Sequence, residues 1–174
     1  MTKLEKLESL REFASNNYEE ISEKIIEGLK EAEHEWSGWQ ILVTVDLDTH
    51  ELGISGLMSN NSYFASDDIY TIASCGTWKL SDYEGDFLTS LENLDEWEEL
   101  KTKYTSAENY YGDYSDIYEF ISNEHSEIID KIDNENREGI IEEYFPQMAE
   151  NKYDEFLGNL DVDILNAKEL QRCI

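Results

Sequence analysis

A chain of 174 residues with 41 Asp and Glu against 13 Lys and Arg carries a formal charge of −28, which repels nucleic-acid phosphates and anionic membrane surfaces. Its apolar content of 40% is enough for a core, so the charge does not imply disorder, and the length suits one domain. The two cysteines, Cys75 and Cys173, give neither a disulfide framework nor metal-ligand spacing. No run approaches the roughly 20 apolar residues of a membrane span. The start, MTKLEKLESL, is a charged amphipathic pattern without the apolar core of a signal peptide. The expectation is a soluble protein of a reducing compartment, the cytoplasm, with Cys75 buried in an apolar run.

In chain order, residues 2–34 read as helix, because Leu4, Leu7, Leu10, Ala14, Ile21, Ile25, Leu29 and Ala32 recur at steps of three and four. Thr2 with Glu5 predicts a capping box, and the polar cluster Ser15-Asn16-Asn17 predicts a break with a second start at Asn16. From Trp39, alternation through Ile41, Val43, Val45 and Leu47 predicts a strand. Asp48-Thr49-His50 is then a turn, Leu52, Ile54 and Leu57 a returning strand, and Ile69–Cys75 a third. With no connection that looks long enough for a parallel crossover, residues 39–78 are expected to form a three-stranded antiparallel meander.

After Trp78 the period becomes helical. Phe87, Leu88, Leu91, Leu94, Trp97 and Leu100 predict a helix over 87–104 capped by Asp86. Ile117, Phe120, Ile121, Ile128, Ile129 and Ile132 predict another over 113–133. Asn136 is expected to open a third, Pro146 to start a fourth that ends at Gly158, and Asp163–Arg172 to form a last short helix. The fold class is therefore α+β: N-terminal helices (1–36), the meander, then three to five C-terminal helices (86–172), as a single acidic domain.

Chemistry-bearing motifs are sparse. Asp46, Asp48, His50 and Glu51 have donor types suited to a metal, but Asp and His are common turn residues and the glycine of a calcium loop is missing. His34, His50 and His125 share no catalytic spacing, and there is no nucleophile elbow, P-loop or dinucleotide fingerprint. With 41 acids, no one carboxylate pair stands out as an acid–base couple. The chain is read as a non-enzyme without metal or cofactor. Trp36 and Trp39 are either an exposed anchor or, in the plainer reading, a cover for the sheet edge.

The distinctive stretch is Asp82–Asp130, with fifteen acids, two lysines (Lys101 and Lys103) and nine aromatics. A merely solvated tail is poor in aromatics. Candidate partner-binding acids are Asp82, Glu84, Asp86, Glu92, Asp95, Glu96, Glu98, Glu99, Asp113, Asp116, Glu119, Glu124 and Glu127. Carboxylates four apart on a helix lie about 6 Å apart along its axis, whereas one DNA strand places a phosphate about every 3.4 Å. One stripe is too sparse, and two adjacent acidic helices approach the density. A homodimer would lengthen the array further.

This charge balance, the small α+β domain and the missing catalytic motifs resemble the acidic DNA-mimic inhibitors that phages and mobile elements direct against restriction or CRISPR enzymes. That class shares surface charge and no motif, so the resemblance transfers no individual residue. It implies a partner with a cationic DNA- or RNA-binding groove, no direct contact with nucleic acid, and inhibition by occupying that groove. The alternative is an immunity protein that neutralises a basic, nuclease-type toxin. Adaptation to high salt fits less well, because residues 1–30 hold five basic against seven acidic residues and the excess is uneven.

Overall fold

The computed structural model describes residues 1–34, 39–58, 68–83, 91–111 and 117–173. Its elements are helices α1 (Lys3–Asn16) and α2 (Tyr18–Glu31), strands β1 (Trp39–Asp46), β2 (Leu52–Met58) and β3 (Ile69–Gly76), and helices α3 (Trp97–Tyr111), α4 (Ile117–Glu124) and α5 (Ser126–Arg172). Short 3₁₀ turns occupy Leu80–Tyr83 and Leu91–Asn93. The α+β class is as the sequence predicts. The chain packs as two compact units, Met1–Lys79 with Ile141–Ile174, and Leu80–Ile140.

In the first unit the capping box is present: the Glu5 N–H donates to Thr2 Oγ1 and the Thr2 N–H to Glu5 Oε2, at 3.2 and 2.7 Å. The break falls at Asn17, one residue beyond the expected start. Asn17 does not cap α2 with its side chain, because its amide instead donates back to the Phe13 carbonyl at 2.8 Å. Helix α2 lies close on the sheet through Gly28, where a Cβ would stand 2.7 Å from Val43 Cγ2. Only a residue without a side chain permits that approach.

The sheet is antiparallel with strand order β2-β1-β3, which corrects the meander: β1, not β2, is the central strand. The reason is visible in β1, where Ile41, Leu42 and Val43 are all buried. A strand covered on both faces belongs in the middle, and the consecutive apolar run is its signature. Met58 pairs with Trp39 and Ile69 with Asp46, so β2 and β3 run parallel on either side of β1. The ten intervening residues reach about 33 Å when extended, enough to return along an eight-residue strand, so the connection was long enough for a crossover after all.

The C-terminal helices need the larger correction. Asn136, Pro146 and Gly158 mark no helix ends; all lie inside α5, which runs unbroken for 47 residues. Pro146 forfeits a backbone bond and introduces a clash at about 3 kcal/mol or more. Against it stands a stripe of buried residues on both sides: Phe145, Ala149, Tyr153, Phe156, Leu160 and Ile164. Large apolar side chains in such a stripe contribute roughly 1.5–3 kcal/mol each, so tertiary packing outweighs the local breaker. Gly158 sits on the exposed side, where a Cβ would meet nothing within 4 Å. Asn136 does not cap because it is turned inward, 2% exposed, in register with Ile132 and Ile140. The Tyr153 hydroxyl donates to the Ala14 carbonyl and Lys152 Nζ to the Ser74 carbonyl, each at 2.8 Å. Trp78 closes the first unit, donating from Nε1 to the Leu29 carbonyl at 2.6 Å and meeting Phe145 edge-on.

In the second unit α3 begins at Trp97 and ends at Tyr111, not 87–104. Leu91, Leu94, Trp97 and Leu100 repeat every three residues, the period of a 3₁₀ turn, not of an α-helix. The Leu94 N–H accordingly bonds the Leu91 carbonyl and the Trp97 N–H the Leu94 carbonyl. The proposed cap Asp86 lies outside the described residues. The expected 113–133 helix is divided at His125 into α4 and the start of α5, and its proposed start also lies outside them.

Candidate functional site: the acidic elements of the second unit

Leu100, Phe120 and Ile121 form the buried centre of the second unit, with Leu91, Leu94, Trp97, Tyr104, Ile117, Ile128 and Ile129 packed around it. These residues come from the Leu91–Asn93 turn, α3, α4 and the start of α5. Tyr104 and Phe120 meet at 5.8 Å between ring centroids, and Phe120 meets His125 edge-on at 5.6 Å. Every element of this unit that carries described candidate acids beyond the Leu80–Tyr83 turn is therefore fastened to one apolar cluster.

The candidate acids distribute as follows. Asp95 and Glu96 are exposed just before α3, and Glu98 and Glu99 are exposed in its first turn. Glu119 occupies the first turn of α4, partly buried, and Glu124 ends that helix. Glu127 lies in the first turn of α5, and Asp82 is exposed in the Leu80–Tyr83 turn. Glu92 falls in the Leu91–Asn93 turn. Glu84, Asp86, Asp113 and Asp116 lie outside the described residues.

Two features of the arrangement were missed from the sequence. First, Glu98, Glu99, Glu119 and Glu127 stand in first helical turns, where negative charge is favoured by the helix dipole. Second, the two lysines of α3 are engaged: Lys101 Nζ lies 3.1 Å from Glu98 and Lys103 Nζ 3.1 Å from Glu99. Lys101 also stands over the Trp97 ring at 5.8 Å from its centroid. Both pairs have the three- or four-residue spacing of helix neighbours, a signal legible in the sequence. They are exposed pairs of small energetic weight. Glu124, at a helix C-terminus, is where the dipole disfavours an acid.

The remaining candidates resolve structurally. Asp46 Oδ1 accepts from the Asp48 and Thr49 N–H groups at 2.8 and 2.9 Å. The Thr49 and then the Asp48 bond hold its carboxyl below the usual range. Lys6 Nζ sits 2.9 Å from Asp48 and 3.6 Å from Asp68, and the ring of His50, whose φ is 60°, lies 4.7 Å from the Phe13 ring at a tilt of 35°. Asp46 is thus used within the turn, and Asp48 and His50 face Lys6 and Ser9 of α1. Among the described residues no group of three His, Cys, Asp or Glu is placed to hold a metal ion. Trp39 stacks on His34, and its ring lies over the face of Gly56 in the neighbouring strand, leaving that strand's hydrogen-bonding edge uncovered; Trp36 lies outside the described residues. Cys75 is buried, its thiol pushed up by desolvation, and Cys173 is exposed. No helix among the described residues is long and apolar enough to cross a membrane.

No protein-family model matches the chain, and neither does any curated protein or solved structure.

Proposed function

We propose that this chain is a binding protein that inhibits a nucleic-acid-handling enzyme, such as a restriction or CRISPR nuclease, in the cytoplasm. It does so by presenting a folded negative surface to that enzyme's cationic groove. The observation that carries this reading is the second unit. Its 61 residues hold 18 acids against four Lys and Arg, and the elements that carry Glu98, Glu99, Glu119, Glu124 and Glu127 are fastened to one apolar cluster. Held carboxylates exchange the groove's bound anions for protein without first having to be ordered, which favours affinity. The one-signed field steers a cationic partner into encounter.

The test uses the tagged full-length protein as bait at low salt in lysates of bacteria carrying restriction and CRISPR systems. Recovery of a DNA-binding enzyme that duplex DNA then displaces is the expected result. A partner that only high salt removes would replace mimicry with binding of a basic toxin.

A further inference from the structure

The sheet has two edges, and they are treated differently. At the β3 edge, Lys152 Nζ from α5 caps the Ser74 carbonyl at 2.8 Å, and the β1–β3 register shifts between Val43 and Thr44. Capping cations and register irregularities are the devices that blunt an edge. Strand β2, Leu-Gly-Ile-Ser-Gly-Leu-Met, has no lysine, no proline, no charge and an unbroken register to β1. Among the described residues, nothing hydrogen-bonds to its outer side.

The phase of the ladder says which groups face outward. The Asp46 N–H donates to the Glu51 carbonyl at 2.9 Å, so Asp46 and Glu51 form a hydrogen-bonded pair. Antiparallel pairs alternate. Thr44/Gly53 and Leu42/Ser55 are then bonded pairs as well, and Leu52, Ile54 and Gly56 turn their N–H and C=O groups away from β1. Ser55 and Gly56 are exposed. A row of three outward donors and acceptors on a seven-residue strand is a template for one more strand.

We propose that the outer edge of β2 binds an extended cationic segment of the partner as a fourth strand. The inference rests on the reading above only for the sign of the partner's charge. A second copy of this chain would bring another −28 to the contact, whereas a cationic segment is drawn in by the same field. Cross-strand neighbours share a face, so Ile54 points to the side on which Val43 meets α2. Alternate apolar side chains of the incoming strand extend that face, and the intervening cations project with Ser55 on the other.

The test is amide hydrogen exchange on the full chain at low salt with a blocked eight-residue peptide of alternating Lys and Val. A Lys–Pro peptide of the same charge, which lacks strand donors, is the control. With the Lys–Val peptide, exchange at Leu52, Ile54 and Gly56 slows by at least about tenfold, and Gly53 and Ser55 change less; the Lys–Pro peptide produces no slowing. Ser55→Lys, an exposed change, weakens Lys–Val binding with the melting temperature preserved. Equal effects of both peptides, or protection confined to α3 and α4, would overturn the proposal in favour of charge alone. Protection of the β2 amides by self-association without peptide would overturn it in favour of a second copy. Recovery of a DNA-displaceable enzyme with no change at β2 would leave the inhibitor reading standing and remove this one.

Discussion

The two units carry the same net charge, −14 each, on 113 and 61 residues. In the first, Lys24 meets Glu27 on its own helix, but three other cations join parts of the fold that are far apart in sequence. Lys6 meets Asp48 and Asp68, Arg11 meets Asp161 at 2.7 Å, and Lys168 meets Glu8 at 3.6 Å. In the second, Lys101 and Lys103 reach only acids of their own helix. The first unit's core extends from Leu7 to Ile164, whereas the cluster in the second centres on Leu100, Phe120 and Ile121. Charge in the first unit is subordinate to packing. In the second the same excess of acids falls on about half as many residues, and unneutralised repulsion is stability given up. That difference is the physical argument for placing function in the second unit.

The comparison can be broken by mutation. Phe156→Ala, in the first core and 1% exposed, is expected to lose about 3–5 kcal/mol in denaturant unfolding. Tyr118→Ala in the second unit, at a side chain 56% exposed, should stay within about 0.5 kcal/mol. Comparable losses would show that burial does not set the cost at these two positions. Gly28→Ala forces a methyl to 2.7 Å from Val43 Cγ2 and should lose about 1–3 kcal/mol by overpacking. Gly158→Ala has open space for its methyl and should gain about 0.5–1 kcal/mol by helix propensity.

The smallest effect is at the β1–β2 turn. Asp46 has its carboxyl depressed from an ordinary 3.8 by the Thr49 and Asp48 N–H groups. Its contribution to stability is present above that ordinary value and lost as pH falls through the depressed one. Asp46→Asn should therefore flatten the acid limb of a stability–pH curve below about pH 4. An unchanged limb would show that the turn bonds carry no charge-dependent energy.

What was legible in the sequence follows from where local and tertiary forces agree. The Thr2–Glu5 box, the break beside Asn17 and all three strands were readable because caps, turns and periodicity pointed the same way. Alternation alone does not fix strand order; the buried run Ile41-Leu42-Val43 is what marks β1 as central. Asn136, Pro146 and Gly158 are local signals for helix ends, and the buried stripe of α5 overrides all three. The 3₁₀ turn at Leu91 is signalled by strict three-residue spacing, which an α-helical reading of the same apolar residues obscures. The acids were legible as a count and a region. Their placement in first helical turns depended on boundaries that the sequence placed wrongly.

The most direct measurement compares matched charge reversals in the two units by capture from the same lysate. Glu96→Lys with Glu99→Lys alters the exposed start of α3, and Glu150→Lys with Asp154→Lys alters an exposed face of α5 in the first unit. Thermal melts confirm that both variants are folded. Loss of the DNA-displaceable enzyme from the α3 variant, with recovery by the α5 variant as by the unaltered chain, is the expected result. Equal recovery by both variants, or no such enzyme on the unaltered chain, would contradict the proposal that the second unit's acids make the binding surface.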